Sequence, residues 1–272
     1  MKIKFLIMAF CMLYVKNCHA EIIKADNFHV LAKEVTQWVS KDSLVLFDVD
    51  DVLISPTDAF DFRNKIRKDL KKEISEDKSK RQVQVMFSDF FLKRKVKLVN
   101  KDMLKLLGFL KNAKIPTTAL SAWWTGSFGT IEQMEKQRLK ELDQVQISFT
   151  DLSPFKKDMR FASHKTENGG TPLVIEGIIL TALADKGEVL GLVLKKSKYK
   201  FKRIIFIDDQ MKYLREVESY CRKQGVDFFG VHYTESASAP VPELDLLLEK
   251  SRFNILKQEH VWLSDDELEA RL

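Results

Sequence analysis

Two stretches of this chain are apolar for four residues and then run straight into aspartates. Leu44-Val45-Leu46-Phe47 precedes Asp48, Asp50 and Asp51, and Ile204-Ile205-Phe206-Ile207 precedes Asp208 and Asp209. An uninterrupted apolar run of this length reads as a strand covered on both faces, the condition of a parallel sheet rather than a half-solvated antiparallel one. Carboxylates at the edge of such a core are costly to desolvate unless a partner needs them there. The pattern therefore constrains both the fold class and the place where chemistry is to be sought.

Between these runs the apolar spacing becomes helical. Val30, Leu31, Val35, Trp38 and Val39 recur at helical intervals, and further helical patterns cover 101–111, 130–142, 187–194 and 212–223. Strand-like runs occupy 115–120, 145–149 and 226–233, and the pair 173–175 and 178–180 around Gly177 predicts a hairpin or bulge. Alternation of this kind implies an α/β fold, a doubly wound, mainly parallel, Rossmann-like sheet covered on both faces. In such sheets ligands gather at the carboxyl ends of the strands, where these aspartates lie.

Two regions depart from the alternation. Residues 55–99 show no strand pattern. Ile66, Leu70 and Ile74 recur every four residues, and Val83, Met86, Phe87, Phe90 and Phe91 at three and four. This predicts a small helical insert after the first strand, its apolar stripe packed on its own helices or on the core. The tail reads as helical over 243–256. Trp262 follows, and Ser264 with Glu267 three residues later is a capping-box start for a last short helix.

The first twenty residues are set aside. Lys2 and Lys4 precede an apolar run over 5–15, and Cys18-His19-Ala20 places small residues at the cleavage-contact positions. That is the layout of a secretory signal peptide, with an apolar run short for a bilayer span. The expected mature chain, residues 21–272, is exported, periplasmic or secreted, with no stable membrane insertion after cleavage. Removing Lys2, Lys4 and Lys16 lowers the formal charge from +6 to +3. This mild excess does not indicate a nucleic-acid partner, and the Lys93-Arg94-Lys95 and Lys195-Lys196-Ser197-Lys198 stretches read as solvated faces. Only Cys221 of the three cysteines remains, so no internal disulfide forms, and it reads as a small packed hydrophobe.

Asp48 and Asp50 stand two apart at a strand end and so project to one side. One carboxylate can attack phosphorus to give an aspartyl-phosphate, and its partner can protonate the leaving oxygen and later accept a proton from water. Two carboxylates facing a phosphate dianion repel it unless a cation intervenes, and Mg²⁺ suits a few carboxylates plus phosphate oxygens and water. Asp208 and Asp209 supply further acids at a second strand end. Ser121, ending the Thr118-Ala119-Leu120-Ser121 run, offers a hydroxyl to a phosphoryl oxygen. Lys186, at a helix start, offers an ammonium to the nucleophile and the phosphoryl group, with Lys195, Lys196 and Lys198 as rivals.

In this order the motifs resemble the haloacid dehalogenase-like (HAD) superfamily of phosphohydrolases. The resemblance is carried by DVDDVL at 48–53, ALS at 119–121, KG at 186–187 and IIFIDD at 204–209. HYT at 232–234 and WLSDDE near the end are similar to an exported bacterial branch of unassigned function. The resemblance implies Asp48 as nucleophile, Asp50 as general acid/base, Ser121 and Lys186 as phosphate-binding groups, and a small cap in the insert. It also implies Mg²⁺ held by Asp48, the Asp50 main-chain carbonyl and Asp208, with or without Asp209. Asp50, which could protonate an ester oxygen, argues against halide departure. Asp51 departs from many relatives and reads as a turn cap.

Trp123 and Trp124 follow Ser121 and are expected near the mouth of the site, stacking on a substrate or packing on the core. His164 and His232 have no spaced partner and read as structural. The leading expectation is a Mg²⁺-dependent phosphomonoester hydrolase acting on a small phosphorylated substrate. A phosphotransferase using the same intermediate, or a secreted binding or effector protein without turnover, are the alternatives.

Overall fold

The computed structural model describes residues 18–167 and 170–271. The expected leader lies outside the described residues except for its last three. In chain order the central strands are β1 (Ala20–Ala25), β2 (Ser43–Phe47), β5 (Thr117–Ser121), β6 (Met159–Arg160), β7 (Leu173–Ile175), β8 (Ile178–Leu180), β9 (Arg203–Asp208) and β10 (Asp227–Tyr233). They form one sheet of order β1-β10-β9-β2-β5-β8-β7-β6. The first six run parallel, β7 turns back antiparallel to β8, and β6, antiparallel to β7, returns to the common direction. The protein is thus a mixed α/β fold with a mostly parallel central sheet.

The apolar runs divide between two faces as strand periodicity requires. Val45, Phe47, Ile205, Ile207 and Val231 pack on one side with α1 (Phe28–Trp38) and α5 (Met103–Asn112). Leu44, Leu46, Ile204, Phe206 and Phe228 pack on the other with α7 (Lys186–Ser197) and α8 (Met211–Gln224). Cys221 belongs to this second face as a buried apolar group. Each strand is therefore apolar throughout because each face has its own helical cover.

Three local departures from the sequence reading have physical causes. Residues 145–149 form no strand, because α6 (Met134–Gln144) ends just before them and Gln146 takes a positive φ of 61°. Ile147 and Phe149 still enter the core, from a loop that closes against the hairpin turn at Gly177. There φ is 79°, and a Cβ would stand 2.6 Å from the Ser153 Cβ and 2.7 Å from the Phe149 carbonyl oxygen, so only glycine fits. The strand β1 was hidden by its place beside the expected leader. It pairs with β10, beginning at Ala20 opposite Phe228. A cut after Ala20 would remove that rung and keep the five from Glu21 to Ala25.

The third departure is the insert, which is not wholly helical. Its neck is a two-stranded antiparallel ladder of β3 (Ile54–Pro56) with β4 (Val96–Leu98), and between them lie α2 (Lys65–Ser75), α3 (Lys80–Met86) and α4 (Ser88–Lys93). The tail binds this insert. Trp262, fully buried between α10 (Leu246–Glu259) and α11 (Asp265–Glu269), places its ring centroid 5.0 Å from Phe90, 5.7 Å from Phe62 and 5.6 Å from Phe253. Its backbone N–H donates to Asp89 at 2.8 Å, and its carbonyl accepts from Lys93 at 3.0 Å. Arg67 of α2 meets Glu249 of α10 through two buried hydrogen bonds of 2.9 and 2.8 Å. The Ser264–Glu267 capping box forms as its spacing predicts.

Loss of a buried tryptophan should cost about 3–5 kcal/mol. Trp262→Ala should therefore lower the urea midpoint strongly while Trp262→Phe keeps most of the stability. Equilibrium unfolding of both variants checks whether the tail is what fixes the insert.

Candidate functional site at the strand ends

The sheet order reverses direction about β2, with β5 added on one side and β9 on the other, which opens a crevice beyond their carboxyl ends. Register pairs Phe47 of β2 with Ile207 of β9, so the next residues, Asp48 and Asp208, emerge side by side. The Asp48 amide donates to the Ile207 carbonyl at 2.8 Å, carrying the ladder one step further. Lys186, at the first position of α7, reaches between the two acids. Its ammonium donates to Asp48 Oδ1 and to Asp208 Oδ2, each at 2.7 Å. It is fully buried, and the Tyr213 ring lies 4.2 Å below the nitrogen. Burial alone would strip its proton; the Asp48 and Asp208 carboxylates hold it firmly charged. Lys195, Lys196 and Lys198 have no part in this contact.

Asp209 completes the group. One oxygen from each of Asp48, Asp208 and Asp209 lies within 4.8 Å of the others, and Asp209 Oδ1 is buried with no hydrogen-bond partner. The Asp209 main-chain carbonyl contacts the His232 ring at 2.9 Å, so that histidine braces the loop. Three carboxylates around one ammonium would, when all are ionised, leave two negative charges uncompensated. An all-oxygen donor set with an orphan oxygen is what a hard divalent cation such as Mg²⁺ accepts. Ser121 ends β5, the strand beside β2, and is buried. Its carbonyl accepts from the Thr181 amide at 2.9 Å, and the Thr181 hydroxyl is a second buried group without a partner.

Asp50 is not turned to this cluster. Its carboxylate accepts from Arg94 at 2.8 Å and from both terminal nitrogens of Arg138. The two guanidinium groups share Glu141, at 3.0 Å from Arg94 and 2.9 Å from Arg138. Burial works to raise the Asp50 carboxyl, but Arg138 and Arg94 overcome it and hold the group well below the usual carboxylate range. It is an anion with no proton to give. Sequence reading missed this network: Arg94 looked like part of a solvated basic run, yet it is buried at the exit of the insert. The i, i+3 spacing of Arg138 and Glu141 on α6 was the available signal. Trp123, expected at the mouth, is buried beneath the Arg138 guanidinium at 3.6 Å and donates its indole N–H to the Met134 carbonyl. Trp124 is half-buried and faces the insert through Phe91, 5.8 Å away.

A family model described as "Protein of unknown function (DUF2608)" matches residues 24–269, a span that contains every residue of this cluster. The chain belongs to the DUF2608 family. It is similar, at 23% identity over 266 residues, to an uncharacterized protein of Rickettsia prowazekii (strain Madrid E), covering 97% of this chain and 95% of that one. It is also similar, at 22% identity over 242 residues, to a Chlamydia pneumoniae protein named "Putative outer membrane protein", covering 85% of this chain and 83% of that one. No solved structure matches the chain. Among the described residues no helix is long and apolar enough to cross a membrane.

The electrostatics of this DUF2608 site give a pH signature. Burial pushes the Asp48 carboxyl up to about 7 against the pull of Lys186, with Asp208 adding to the rise. Burial likewise pushes Asp209 up to about 8, helped by Asp208 and Asp48. Raised carboxyl values mean that the folded chain holds more protons than the unfolded one between the ordinary carboxyl range and about pH 8. Stability from these groups is full below that window and is lost as pH rises through 7 to 8. Without divalent ions, calorimetric melting temperature should fall between pH 5 and 8.5. Mg²⁺ should restore more of it at pH 8 than at pH 5, adding about 2.7 kcal/mol of stability wherever it is present at a hundred times its dissociation constant. Asp208→Asn should flatten both trends.

Proposed function

We propose that the protein is an exported, Mg²⁺-dependent phosphomonoester hydrolase of the HAD-like kind, with the insert as a small cap and Asp48 as nucleophile. The observation that carries this reading is the Lys186 ammonium held between Asp48 and Asp208, with Asp209 adding a third oxygen ligand. A carboxylate at a strand end beside a fixed cation suits in-line attack on phosphorus, giving an aspartyl-phosphate that water then hydrolyses. Lys186 neutralises Asp48 as the dianion approaches and then balances charge on the transferring group. Ser121, beside it at the end of β5, is assigned to a phosphoryl oxygen. Asp48, Asp208 and Asp209 would hold Mg²⁺, with the Asp50 main-chain carbonyl as the further ligand the HAD resemblance suggests. Mg²⁺ when bound supplies charge neutralisation of the phosphate oxygens.

The proton donor is where this chain departs from that scheme. With Asp50 pinned as an anion, a leaving oxygen receives no proton from it, so esters of acidic alcohols are turned over best. Export rests on the layout of residues 1–20 and agrees with the name of the chlamydial relative. A second reading, a secreted binding protein without turnover, is favoured by the same clamp on Asp50.

Residues 21–272 should hydrolyse 4-nitrophenyl phosphate with Mg²⁺ and lose this on chelation, while hydrolysing an alkyl phosphate at least about a hundredfold more slowly. Asp48→Asn should abolish turnover with the fold intact. Arg94→Gln should loosen the clamp on Asp50, which Arg138 still holds, and narrow the gap between the two esters in part. Steady-state rates on both esters check all three points. Equal rates of wild type and Asp48→Asn would sink the covalent mechanism, and no turnover of either ester would favour the binding reading.

A further inference from the structure

Beside the acid cluster, between the insert and the sheet, is a cavity of about 790 Å³. Asp50, Asp51 and Ala122 form its floor, so it opens directly beyond β2 and β5. Its volume lies in the range of sites for drug-sized ligands and far exceeds what a phosphate group fills. Eight of its lining side chains are aromatic, among them members of the insert's apolar stripe. Phe62, Phe87 and Phe91 come from the insert, and Trp124 from the core. The rings stand edge to face, Phe62 with Phe87 at 6.4 Å and Phe91 with Trp124 at 5.8 Å, fixed by packing behind them. A flat apolar body fits such walls better than a flexible chain, because rigid rings present faces and edges at set angles.

The charges of the cavity are unequal in their neutralisation. Asp61 pairs with Arg63 at 2.6 Å, Asp50 with Arg94 at 2.8 Å, and Asp51 accepts from Ser236 at 2.5 Å. Lys68 and Lys71, one turn apart on α2, line the cavity and face no carboxylate among the described residues. The Lys71 ammonium instead lies 5.5 Å from the Phe62 ring and 5.3 Å from the Phe87 ring. Such a cation beside aromatic walls, without its own anion, is a receptor for one supplied by a ligand.

Resting on the hydrolase reading, we infer that the substrate is a phosphomonoester whose leaving group is a flat aromatic body bearing a second anion, the body lying against Phe62, Phe87, Phe91 and Trp124 and the anion meeting Lys71 and Lys68. The phosphate goes to the acid cluster and the second anion to α2. The insert then selects by charge and flatness together. This also suits the pinned Asp50, since an aryl oxygen departs without a proton.

The probes are 6-carboxy-2-naphthyl phosphate, phenyl phosphate and dodecyl phosphate for turnover, and 6-carboxy-2-naphthylphosphonate for calorimetric binding, all with residues 21–272 and Mg²⁺. The carboxynaphthyl ester should exceed phenyl phosphate in kcat/KM by about tenfold or more, mainly through KM. Lys71→Ala should remove roughly three- to tenfold of that preference and Lys71→Arg should keep it. Phe87→Leu should weaken the naphthyl probes alone. If dodecyl phosphate is preferred, or if Lys71→Ala leaves the ester ratio unchanged, the inference is overturned and the hydrolase reading stands. If no ester turns over but the phosphonate binds with the same Lys71 dependence, the cavity assignment stands and the hydrolase reading falls. If the phosphonate does not bind and no ester turns over, both fall.

Discussion

The ammonium of Lys186 between Asp48 and Asp208 is the contact on which the site depends. Two carboxylates side by side at the ends of buried strands repel each other in a medium of low dielectric, and neither is solvated enough to screen the other. One cation within 2.7 Å of both makes their juxtaposition tolerable. Its position follows from the fold: α7 must begin where the crevice opens for its first residue to reach both strands. The Lys186 amide is itself tied to Glu216 of α8 at 2.8 Å, so the helix start is fixed from the second layer. Helix order, strand register and charge balance are here one constraint.

The Arg94–Asp50–Arg138–Glu141 network is a separate electrostatic unit with another purpose. Two guanidinium groups and two carboxylates sum to zero, so Arg94, Arg138 and Glu141 are buried without needing an outside ion, while Asp50 stays partly exposed. Its members come from the exit of β2, the exit of the insert and α6, which makes it the rivet joining these three parts. Removing one partner of such a unit leaves an uncompensated charge. The consequence for chemistry is direct. An aspartate three residues past the strand end is available either as a proton donor or as a structural anion, and two arginines decide for the second.

The insert is held from behind as well. Trp262 and the Arg67–Glu249 pair join it to the tail, so the aromatic cavity is bounded by elements far apart in sequence and fixed by packing. An insert braced in this way bounds a standing cavity whose shape and charge are set by packing.

Much was legible from sequence alone. Uninterrupted apolar runs ending in aspartates determined the parallel sheet and the location of Asp48, Asp50, Asp208 and Asp209 at its edge, because period and polarity are local properties. The positions of α1, α5, α7 and α8, the hairpin at Gly177 and the Ser264 cap were readable for the same reason. What sequence did not determine is which of these charges meet. Lys186 was one of several lysines, Arg94 one basic residue in a basic run, and Trp123 one of two adjacent tryptophans; nothing local distinguishes a buried cation from a solvated one. The strand β1 and the β3–β4 neck were likewise invisible, since short edge pairings draw their stability from a distant partner rather than from their own composition. Asp50 shows the limit most clearly: its place at the strand end follows from the sequence, but its state as a clamped anion follows only from Arg94 and Arg138, brought to it across 44 and 88 residues by the tertiary fold.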